Sequence, residues 1–395
     1  MIDAKHFVKE HAARNIPLGY DESYEMGIYL MKACHANKLA SIFCHGIRLA
    51  SIQSIGLLMA LHNQATYAWE KNGRKLDHPL PEDSSEQIAG ICAAIFEHDI
   101  ARSKFGFLSP NVPYAMDNCG MGGDLTVTAN VSTVAAFIAA VAGISMCKHG
   151  SPANADGGRR GSSDFIDMCG INCFAKKKAV EKCVEELSFG YTEALDVRYK
   201  HIHTQTHNIA QLPHMNDIIG PITNPLSPTI LTRRVLGVNH LIPPGIVAKA
   251  YKMLNERGVT HLNHGLFIRG FAGDKSESGV DELSICAPGT QVAELKDGEI
   301  REYWLRAEDF GIDPIPVEFI SPPKGMSKGK FSLAILKREA PRCSMQMVIA
   351  NATLLFYLAE KSANFKECYL LAEEILMSGR AHERMIEVRK MLPAE

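Results

Sequence analysis

A cluster of glycines lies between the first predicted strand of the α/β region and a predicted helix. The cluster and the acidic residue that ends it are Gly120, Gly122, Gly123 and Asp124. The helix starts at Asn130-Val-Ser-Thr133, where Ser132 and Thr133 carry hydroxyl groups. The first backbone N–H groups of a helix lack helical partners and lie at the positive end of its dipole, so they bind anions. The pattern indicates a phosphate-binding loop, although a tight turn and simple helix capping would use the same residues.

Two further polar segments follow this helix. Lys148-His-Gly150 comes directly after a second predicted strand, where a lysine needs an anion or a carboxylate unless it reaches water. Gly161-Ser-Ser-Asp164 presents the hydroxyls of Ser162 and Ser163 at another predicted helix start. Each segment alone also fits an ordinary solvated surface. Their close succession after the glycine cluster favours one shared anion-binding site.

An adjacent pair of carboxylates, Asp281 and Glu282, follows Gly279. Such oxygen ligands suit a hard cation, and Mg²⁺ commonly binds to carboxylates and to phosphate oxygens together. Taken alone, the pair fits a solvated acidic turn better than a metal site. Its interpretation depends on the other segments.

In order along the chain, these segments resemble the phosphoribosyl-pyrophosphate loops of anthranilate phosphoribosyltransferases. The matching segments are Cys119-Gly-Met-Gly-Gly-Asp124, Asn130-Val-Ser-Thr133, Lys148-His-Gly150, Gly161-Ser-Ser-Asp164, Gly220-Pro-Ile-Thr-Asn-Pro225, Gly279-Val-Asp-Glu282 and Asp309-Phe-Gly-Ile-Asp-Pro314. The similarity extends over residues 115–380, whereas the first hundred residues resemble the family only in being helical.

The resemblance implies a magnesium-dependent transfer of the phosphoribosyl group from phosphoribosyl pyrophosphate to a small-molecule acceptor. It assigns the binding of phosphoribosyl pyrophosphate to Gly120, Gly122, Gly123, Asp124, Asn130, Ser132, Thr133, Lys148, Ser162 and Ser163. It assigns Mg²⁺ to Asp281 and Glu282, assisted by Ser132. Lys148, His149 and His207 are the expected catalytic residues. It also implies a homodimer formed through the N-terminal helices.

The chain departs from the family where the acceptor is expected to bind. The family continues the Lys-His-Gly motif with Asn-Arg, whereas this chain continues with Ser151-Pro152. Counting back from Gly220 places His207 near an arginine that pairs with the anthranilate carboxylate, and residues 207–217 contain no arginine. Without that bidentate partner we expect an amine or heterocyclic acceptor other than anthranilate. Possible substitutes outside the matching position are Arg159, Arg160 and Arg198.

Three histidines, His201, His203 and His207, form a cluster that the family pattern does not explain. A His-x-His pair can ligate a metal. Loop histidines more often line a polar surface, and a neutral imidazole can also recognise the acceptor or accept its proton. The sequence therefore leaves substrate binding and metal binding open.

The predicted elements indicate an α/β protein with a small, mostly helical domain and a larger α/β domain around a central, largely parallel sheet. Residues 1–108 show dense apolar spacing, strongest between residues 42 and 61, and are expected to form the helical domain, joined by part of 199–228. Residues 109–395 are expected to form the α/β domain that binds phosphoribosyl pyrophosphate.

Within the α/β domain, a strand at 114–119, a helix at 132–142 and a strand at 144–147 predict a βαβ unit with parallel strands. Ligands of such sheets bind beyond the carboxyl ends of the strands. The glycine cluster and Lys148 fall at those ends, so we expect them to face one cleft. A further strand is predicted at 283–285.

The composition and charge of the chain indicate which kinds of binding partner to expect. With 46% hydrophobic and 22% charged residues among 395, the chain is typical of soluble globular proteins. A formal net charge of −2 gives no basic surface for nucleic acid or for a membrane. The eleven cysteines are odd in number and form no CxxC pair, and the charged N-terminus lacks a signal-peptide pattern. We therefore expect a cytoplasmic protein with small-molecule substrates.

Two other functions fit part of the pattern. Pyrimidine-nucleoside phosphorylases are similar in fold and in the glycine-rich and Lys-His-Gly loops, but the Ser-x-x-Ser-Lys-Lys run of those enzymes is absent after Tyr199. The acidic pair Asp281-Glu282 also fits magnesium-pyrophosphate chemistry better than phosphorolysis. A non-catalytic homologue that binds nucleic acid is disfavoured by the near-neutral charge. The sequence favours the transferase.

Overall fold

A computed structural model describes residues 17–35, 83–124, 126–152, 161–207, 215–238, 242–273 and 279–394 of the chain. The apolar run predicted as helical between residues 42 and 61 lies outside these residues, as do Arg159 and Arg160. No helix within the described ranges combines the length and hydropathy that a membrane span requires.

Among the described residues, single strands alternate with one or two helices between residues 115 and 271, whereas the strands up to residue 305 and then the helices up to residue 391 follow one another. The helices are α1 (Tyr20–His35), α2 (Ser85–Ile95), α3 (Val131–Val141), α4 (Ser162–Met168), α5 (Lys177–Leu187), α6 (Ile202–His207), α7 (Met215–Ile222), α8 (Pro244–Glu256), α9 (Lys328–Leu336), α10 (Arg342–Leu358), α11 (Phe365–Ser378) and α12 (Arg380–Met391). The strands are β1 (Ala115–Gly120), β2 (Met146–Gly150), β3 (Phe189–Glu193), β4 (Leu231–Gly237), β5 (His264–Phe271), β6 (Gly279–Val280), β7 (Thr290–Lys296) and β8 (Glu299–Leu305).

The chain folds as two compact units. The first comprises Met1–Phe107, Ala194–Pro225 and Leu241–Thr260, and its described elements are helices α1, α2, α6, α7 and α8. Helices α1 and α2 approach closely because Gly90 has no side chain: a Cβ there would lie 2.3 Å from the carbonyl oxygen of Tyr20. The segment Leu241–Thr260 belongs to this unit, although the sequence analysis left it with the α/β domain. The predicted domain boundary itself stays a prediction.

The second unit comprises Leu108–Glu193, Leu226–His240 and His261–Glu395, and it contains the sheet. The strand order is β3-β2-β1-β4-β5-β7-β8, with β6 beside β5. Strands β3, β2, β1, β4 and β5 pair in parallel, whereas β7 and β8 are antiparallel. The predicted βαβ unit is present as β1, α3 and β2, and the α/β class with a largely parallel sheet is confirmed.

Burial explains the parallel part of the sheet. Helix α3 is almost entirely buried, with Phe137 fully inaccessible and stacked on Phe189 of β3 at a centroid distance of 4.2 Å. Nearly every residue of β2 and β3 is buried, polar residues included, so these parallel strands show no alternation of buried and exposed positions. The carboxyl ends of β1, β2 and β4 consequently meet at one edge of the sheet, at Gly120, Gly150 and Gly237.

The strand predicted at 283–285 is wrong. These residues form an irregular segment after β6, although Leu283 and Ile285 are fully buried. The Asn351 side chain replaces a strand partner: its Oδ1 accepts from Leu283 N at 3.0 Å, and its Nδ2 donates to Leu283 O at 2.8 Å. Buried backbone groups need hydrogen-bond partners but not strand partners. The alternation of apolar residues in the sequence does not distinguish a strand from a buried irregular segment.

Candidate active site

The glycines at the ends of β1 and β4 leave room for an acidic segment. Gly120 pairs with Gly237 in the sheet, and Asp281 lies directly beside both. A Cβ on Gly120 would lie 1.9 Å from Asp281 Oδ2, and a Cβ on Gly237 would lie 1.6 Å from the Asp281 carbonyl oxygen. Glycine is therefore required at both positions for steric reasons, independent of any ligand.

Three carboxylates meet at this edge: Asp124, Asp281 and Glu282 each offer an oxygen, and these oxygens lie within 4.8 Å of one another. Gly122 N donates to Asp281 Oδ2 at 2.6 Å, and Asp281 N donates to Asp124 Oδ2 at 3.0 Å. The hydroxyl of Thr128 donates to both oxygens of Glu282, at 2.8 and 3.1 Å. The loop after β1 and the segment after β6 are thus joined through their acidic residues.

The electrostatics of this carboxylate cluster favour a cation. Glu282 is only 7% exposed. Burial, followed by the negative charge of Asp281, raises the pKa of Asp124 well above its ordinary value. A hard divalent cation would relieve that repulsion, and an all-oxygen ligand set suits Mg²⁺. The donor set therefore fits the metal expected from the sequence.

A buried lysine lies at the start of α3. Lys148 is 1% exposed, and its Nζ donates to the backbone oxygen of Asn118, to Asn118 Oδ1 at 3.0 Å and to Ser132 Oγ at 3.4 Å. Burial lowers the pKa of Lys148, while the nearby Asp117 raises it. The structure thus places Ser132 next to a cation, whereas Asp124 accompanies Asp281 and Glu282. The predicted role of Ser132 as a metal ligand stays a prediction.

A fully buried ion pair lies beneath Lys148 and His149. Arg234 of β4 donates to Asp117 of β1 at 2.7 Å, and both side chains are 0% exposed. His149 Nδ1 lies 3.9 Å from the same Asp117 oxygen. Burial acts to raise the pKa of Asp117, but Arg234, His149 and Lys148 together hold it well below its ordinary range. The negative charge of Asp117 therefore stabilises the positive charge of the nearby Lys148.

The serines of α4 lie close to the carboxyl ends of β2 and β3. Ser162 and Ser163 each place their hydroxyl oxygen 2.9 Å from the hydroxyl of Tyr191. A Cβ on Gly150 would lie 2.0 Å from Ser162 Oγ, so glycine permits this approach. A hydroxyl group shared in this way can also donate to an anion.

The remaining predicted phosphate ligands lie at the start of α3. Asn130 precedes the helix, and both its backbone N and its Nδ2 donate to Ser332 Oγ, at 2.7 and 3.1 Å. Thr133 is fully buried. Gly122 and Gly123 have φ angles of 73° and 81°, the left-handed region that favours glycine. These contacts leave the phosphate roles of the four residues as predictions.

The histidines of the sequence cluster lie in α6 or directly before it, in the first unit. His207 ends α6 in the first unit, and its side chain lies outside the described residues. His201 instead contacts Asp99, with Nδ1 2.8 Å from Oδ1. Arg198, one suggested substitute for the missing arginine, is already bound to Asp196 through contacts of 2.6 to 3.0 Å. The catalytic roles predicted for His149 and His207 stay predictions.

Comparison with known proteins agrees with this geometry. Residues 112–382 match the glycosyl transferase family, a/b domain. The chain belongs to this family. The anthranilate phosphoribosyltransferase of Symbiobacterium thermophilum is 32% identical over 288 residues, which cover 72% of this chain and 79% of that protein. The enzyme of the same name from Azotobacter vinelandii is 29% identical over 314 residues, 78% of this chain and 83% of that protein.

Solved structures extend the similarity over nearly the whole chain. Anthranilate phosphoribosyltransferase from Thermus thermophilus matches with a TM-score of 0.70 and 26% identity, covering 99% of each chain. The Saccharomyces cerevisiae enzyme in complex with PRPP and Mg shares the fold with a TM-score of 0.70 at 17% identity, over 99% of this chain and 98% of that one. The resemblance inferred from the ordered motifs is therefore confirmed, and the chain is a member of a family of phosphoribosyltransferases.

Sequence reasoning about this glycosyl transferase family member missed several residues that the structure brings together. Asp124 was assigned to substrate alone, although it lies in the carboxylate cluster. Asp117, Arg234 and Thr128 were not singled out. The available signal was a charged residue within a strand, as in Asp117 and Arg234, because buried charges are rarely left unpaired.

Proposed function

We propose that this chain transfers the phosphoribosyl group from phosphoribosyl pyrophosphate to an aromatic amine, with Mg²⁺ as cofactor. The observation that carries the proposal is the partly buried carboxylate cluster next to the glycine loop, in a chain of this family. Asp124, Asp281 and Glu282 would hold the metal. The related yeast structure that contains PRPP and Mg supports the choice of ligand and cation.

The reaction requires charge neutralisation and positioning rather than covalent catalysis. The bond between ribose C1 and the pyrophosphate oxygen breaks, the acceptor nitrogen bonds to C1, and the nitrogen loses a proton. Bound Mg²⁺ supplies positive charge to the pyrophosphate oxygens. Lys148 adds a cation held at the start of α3, which would stabilise developing negative charge. The Ser162 and Ser163 hydroxyls would bind a phosphate.

Two classes of aromatic amine are candidates for the acceptor. The names of the relatives favour anthranilate. Ser151-Pro152, and a segment 207–217 without arginine, instead predict an amine without a carboxylate, because an unpaired buried carboxylate costs several kcal/mol. The engagement of Arg198 with Asp196 removes one substitute for that arginine. Anthranilate is therefore the first acceptor to test, and neutral aromatic amines are the second.

The metal and donor are tested by calorimetry. Titration of phosphoribosyl pyrophosphate into the protein should show binding that requires Mg²⁺ and that weakens at least about tenfold in Asp281→Asn and in Glu282→Gln. Glu299→Gln, which removes an exposed carboxylate from β8, is the matched control and should bind normally. Wild-type binding in both cluster variants contradicts the metal assignment. Binding of inorganic phosphate and nucleosides in place of the donor would indicate a phosphorylase.

The acceptor is tested by turnover. Loss of anthranilate fluorescence in the presence of phosphoribosyl pyrophosphate and Mg²⁺, at roughly 1 per second or faster, establishes anthranilate as the acceptor. Tight donor binding without anthranilate turnover supports a different amine. Pyrophosphate release in a panel of neutral aromatic amines then identifies its class.

A further inference from the structure

We propose that His35, Asp99 and His201 form a second metal site, for a borderline-soft divalent cation such as Zn²⁺. All three residues belong to the first unit, whereas the carboxylates of the proposed active site belong to the second. His35 is the last residue of α1, and His201 immediately precedes α6. Asp99 lies in a π-helical turn, Phe96–Ile100, that continues α2.

The three side chains point ligand atoms at one place. His35 Nε2 lies 3.4 Å from Asp99 Oδ1, and His201 Nδ1 lies 2.8 Å from the same oxygen. One ligand atom from each residue lies within 4.8 Å of the others. Zinc bonds of about 2.0 to 2.2 Å in tetrahedral geometry place ligand atoms roughly 3.4 Å apart. Small rotations of the His35, Asp99 and His201 side chains would therefore bring their ligand atoms to three corners of a tetrahedron around the metal. A water molecule would be the fourth ligand.

Backbone hydrogen bonds hold the Asp99 carboxylate in place, as is common for carboxylates that bind metals. Asp99 is 0% exposed, and its oxygens accept from His201 N at 2.9 and 3.0 Å and from Ile202 N at 3.0 Å. Hydrogen bonds of this kind orient the carboxylates of metal sites.

Helix capping alone explains only part of the arrangement. To cap α6, the Asp99 carboxylate needs to accept only from the backbone N–H groups of His201 and Ile202. One imidazole, that of His201, would be enough to form an ion pair with it. Here a second imidazole, from α1, approaches the same oxygen, and the two rings lie 4.9 Å apart between centroids. Two imidazoles and one carboxylate are a ligand set of transition metals.

The ligand chemistry distinguishes this site from the carboxylate cluster. Imidazole nitrogen binds Zn²⁺, Ni²⁺ or Co²⁺ well, whereas Mg²⁺ prefers oxygen. Each ring would bind the metal as a neutral imidazole through the nitrogen that faces Asp99, so a ring that is protonated before binding would release its proton to solvent. His203, which the sequence grouped with His201, is not one of the three ligands.

Zinc binding in excess Mg²⁺ tests the proposal, because Mg²⁺ occupies the all-oxygen site. The full chain is dialysed to equilibrium against Zn²⁺ in the presence of a roughly 1000-fold excess of Mg²⁺. One Zn²⁺ should bind per chain. His35→Gln and His201→Gln should each weaken zinc binding by at least about 10 to 100-fold. Loss of a residue that only hydrogen-bonds to a metal ligand already has an effect of this size, and these two residues would be ligands themselves. Co²⁺ should give a d–d absorption spectrum that both variants lose.

The controls separate this site from the proposed active site and from misfolding. His203→Gln removes a neighbouring imidazole and should keep wild-type zinc affinity. Asp281→Asn should also keep it, whether or not phosphoribosyl pyrophosphate binds. The far-UV circular dichroism of His35→Gln should match wild type, since this side chain is 36% exposed. Absence of stoichiometric zinc in the wild type, or unchanged affinity in both ligand variants, overturns the proposal.

Discussion

Replacing Asp117 with asparagine should strongly destabilise the second unit. The change preserves shape but removes the negative charge that faces Arg234 at 2.7 Å. Both side chains are 0% exposed, so water cannot replace the lost partner. The guanidinium would remain buried, with Lys148 and His149 as neighbouring cationic or ionisable groups. Removing one member of a buried pair costs about 3 to 5 kcal/mol, mostly as the penalty of the uncompensated charge.

The same pair gives a pH dependence with a defined sign. The pKa of Asp117 is lower in the folded protein than its value of about 3.9 in an unfolded chain. Its contribution to the free energy of unfolding is therefore complete above the unfolded pKa and is lost as pH falls through the folded pKa. The stability difference between wild type and Asp117→Asn should be constant near neutral pH and shrink only in strong acid.

Thermal and urea unfolding of the second unit measure this effect. A loss of 3 to 5 kcal/mol corresponds to a Tm decrease of roughly 6 to 20 °C for a unit of 150 to 250 residues. Asp313→Asn, at an exposed position, should change stability by less than about 0.5 kcal/mol. The double variant Asp117→Asn with Arg234→Met should lose less than the sum of the single losses. A single-variant loss below about 1 kcal/mol, or additive losses, would refute the reasoning.

Three further predictions concern the site and the assembly. Gly120→Ala should weaken Mg²⁺-dependent binding of phosphoribosyl pyrophosphate in calorimetry by about tenfold or more, because its Cβ would displace the Asp281 carboxylate; Gly19→Ala, whose Cβ would lie in ordinary contact 3.5 Å from Glu86 Oε2, is the control. Thr128→Val should weaken the same binding by a few-fold up to about tenfold through the loss of the hydrogen bonds to Glu282, and an unchanged affinity contradicts this support. Light scattering should give twice the chain mass of 43.4 kDa if the homodimer expected from the N-terminal helices forms, and the chain mass otherwise.

The sequence by itself determined the local framework of this protein. Glycines followed by a helix start placed the first loop at the end of β1, because backbone sterics and hydrophobic periodicity act over a few residues. The segment Lys148-His-Gly150, which was expected to follow the second strand, instead forms the last three residues of β2. The ordered motifs then gave the family. The helix 380–391 and the strands at 189–193 and 231–237 were not predicted, since short buried strands and a polar helix give weak periodic signals.

Only the tertiary structure decided which side chains meet. Asp124 joins Asp281 across 157 positions, and Asp117 meets Arg234 across 117, because strand order in the sheet places β1 beside β4. His201 contacts Asp99 across 102 positions, since the turn after α2 brings that carboxylate to the start of α6. Local patterns specify the direction and burial of a residue, whereas a site depends on long-range packing that spacing along the chain does not encode.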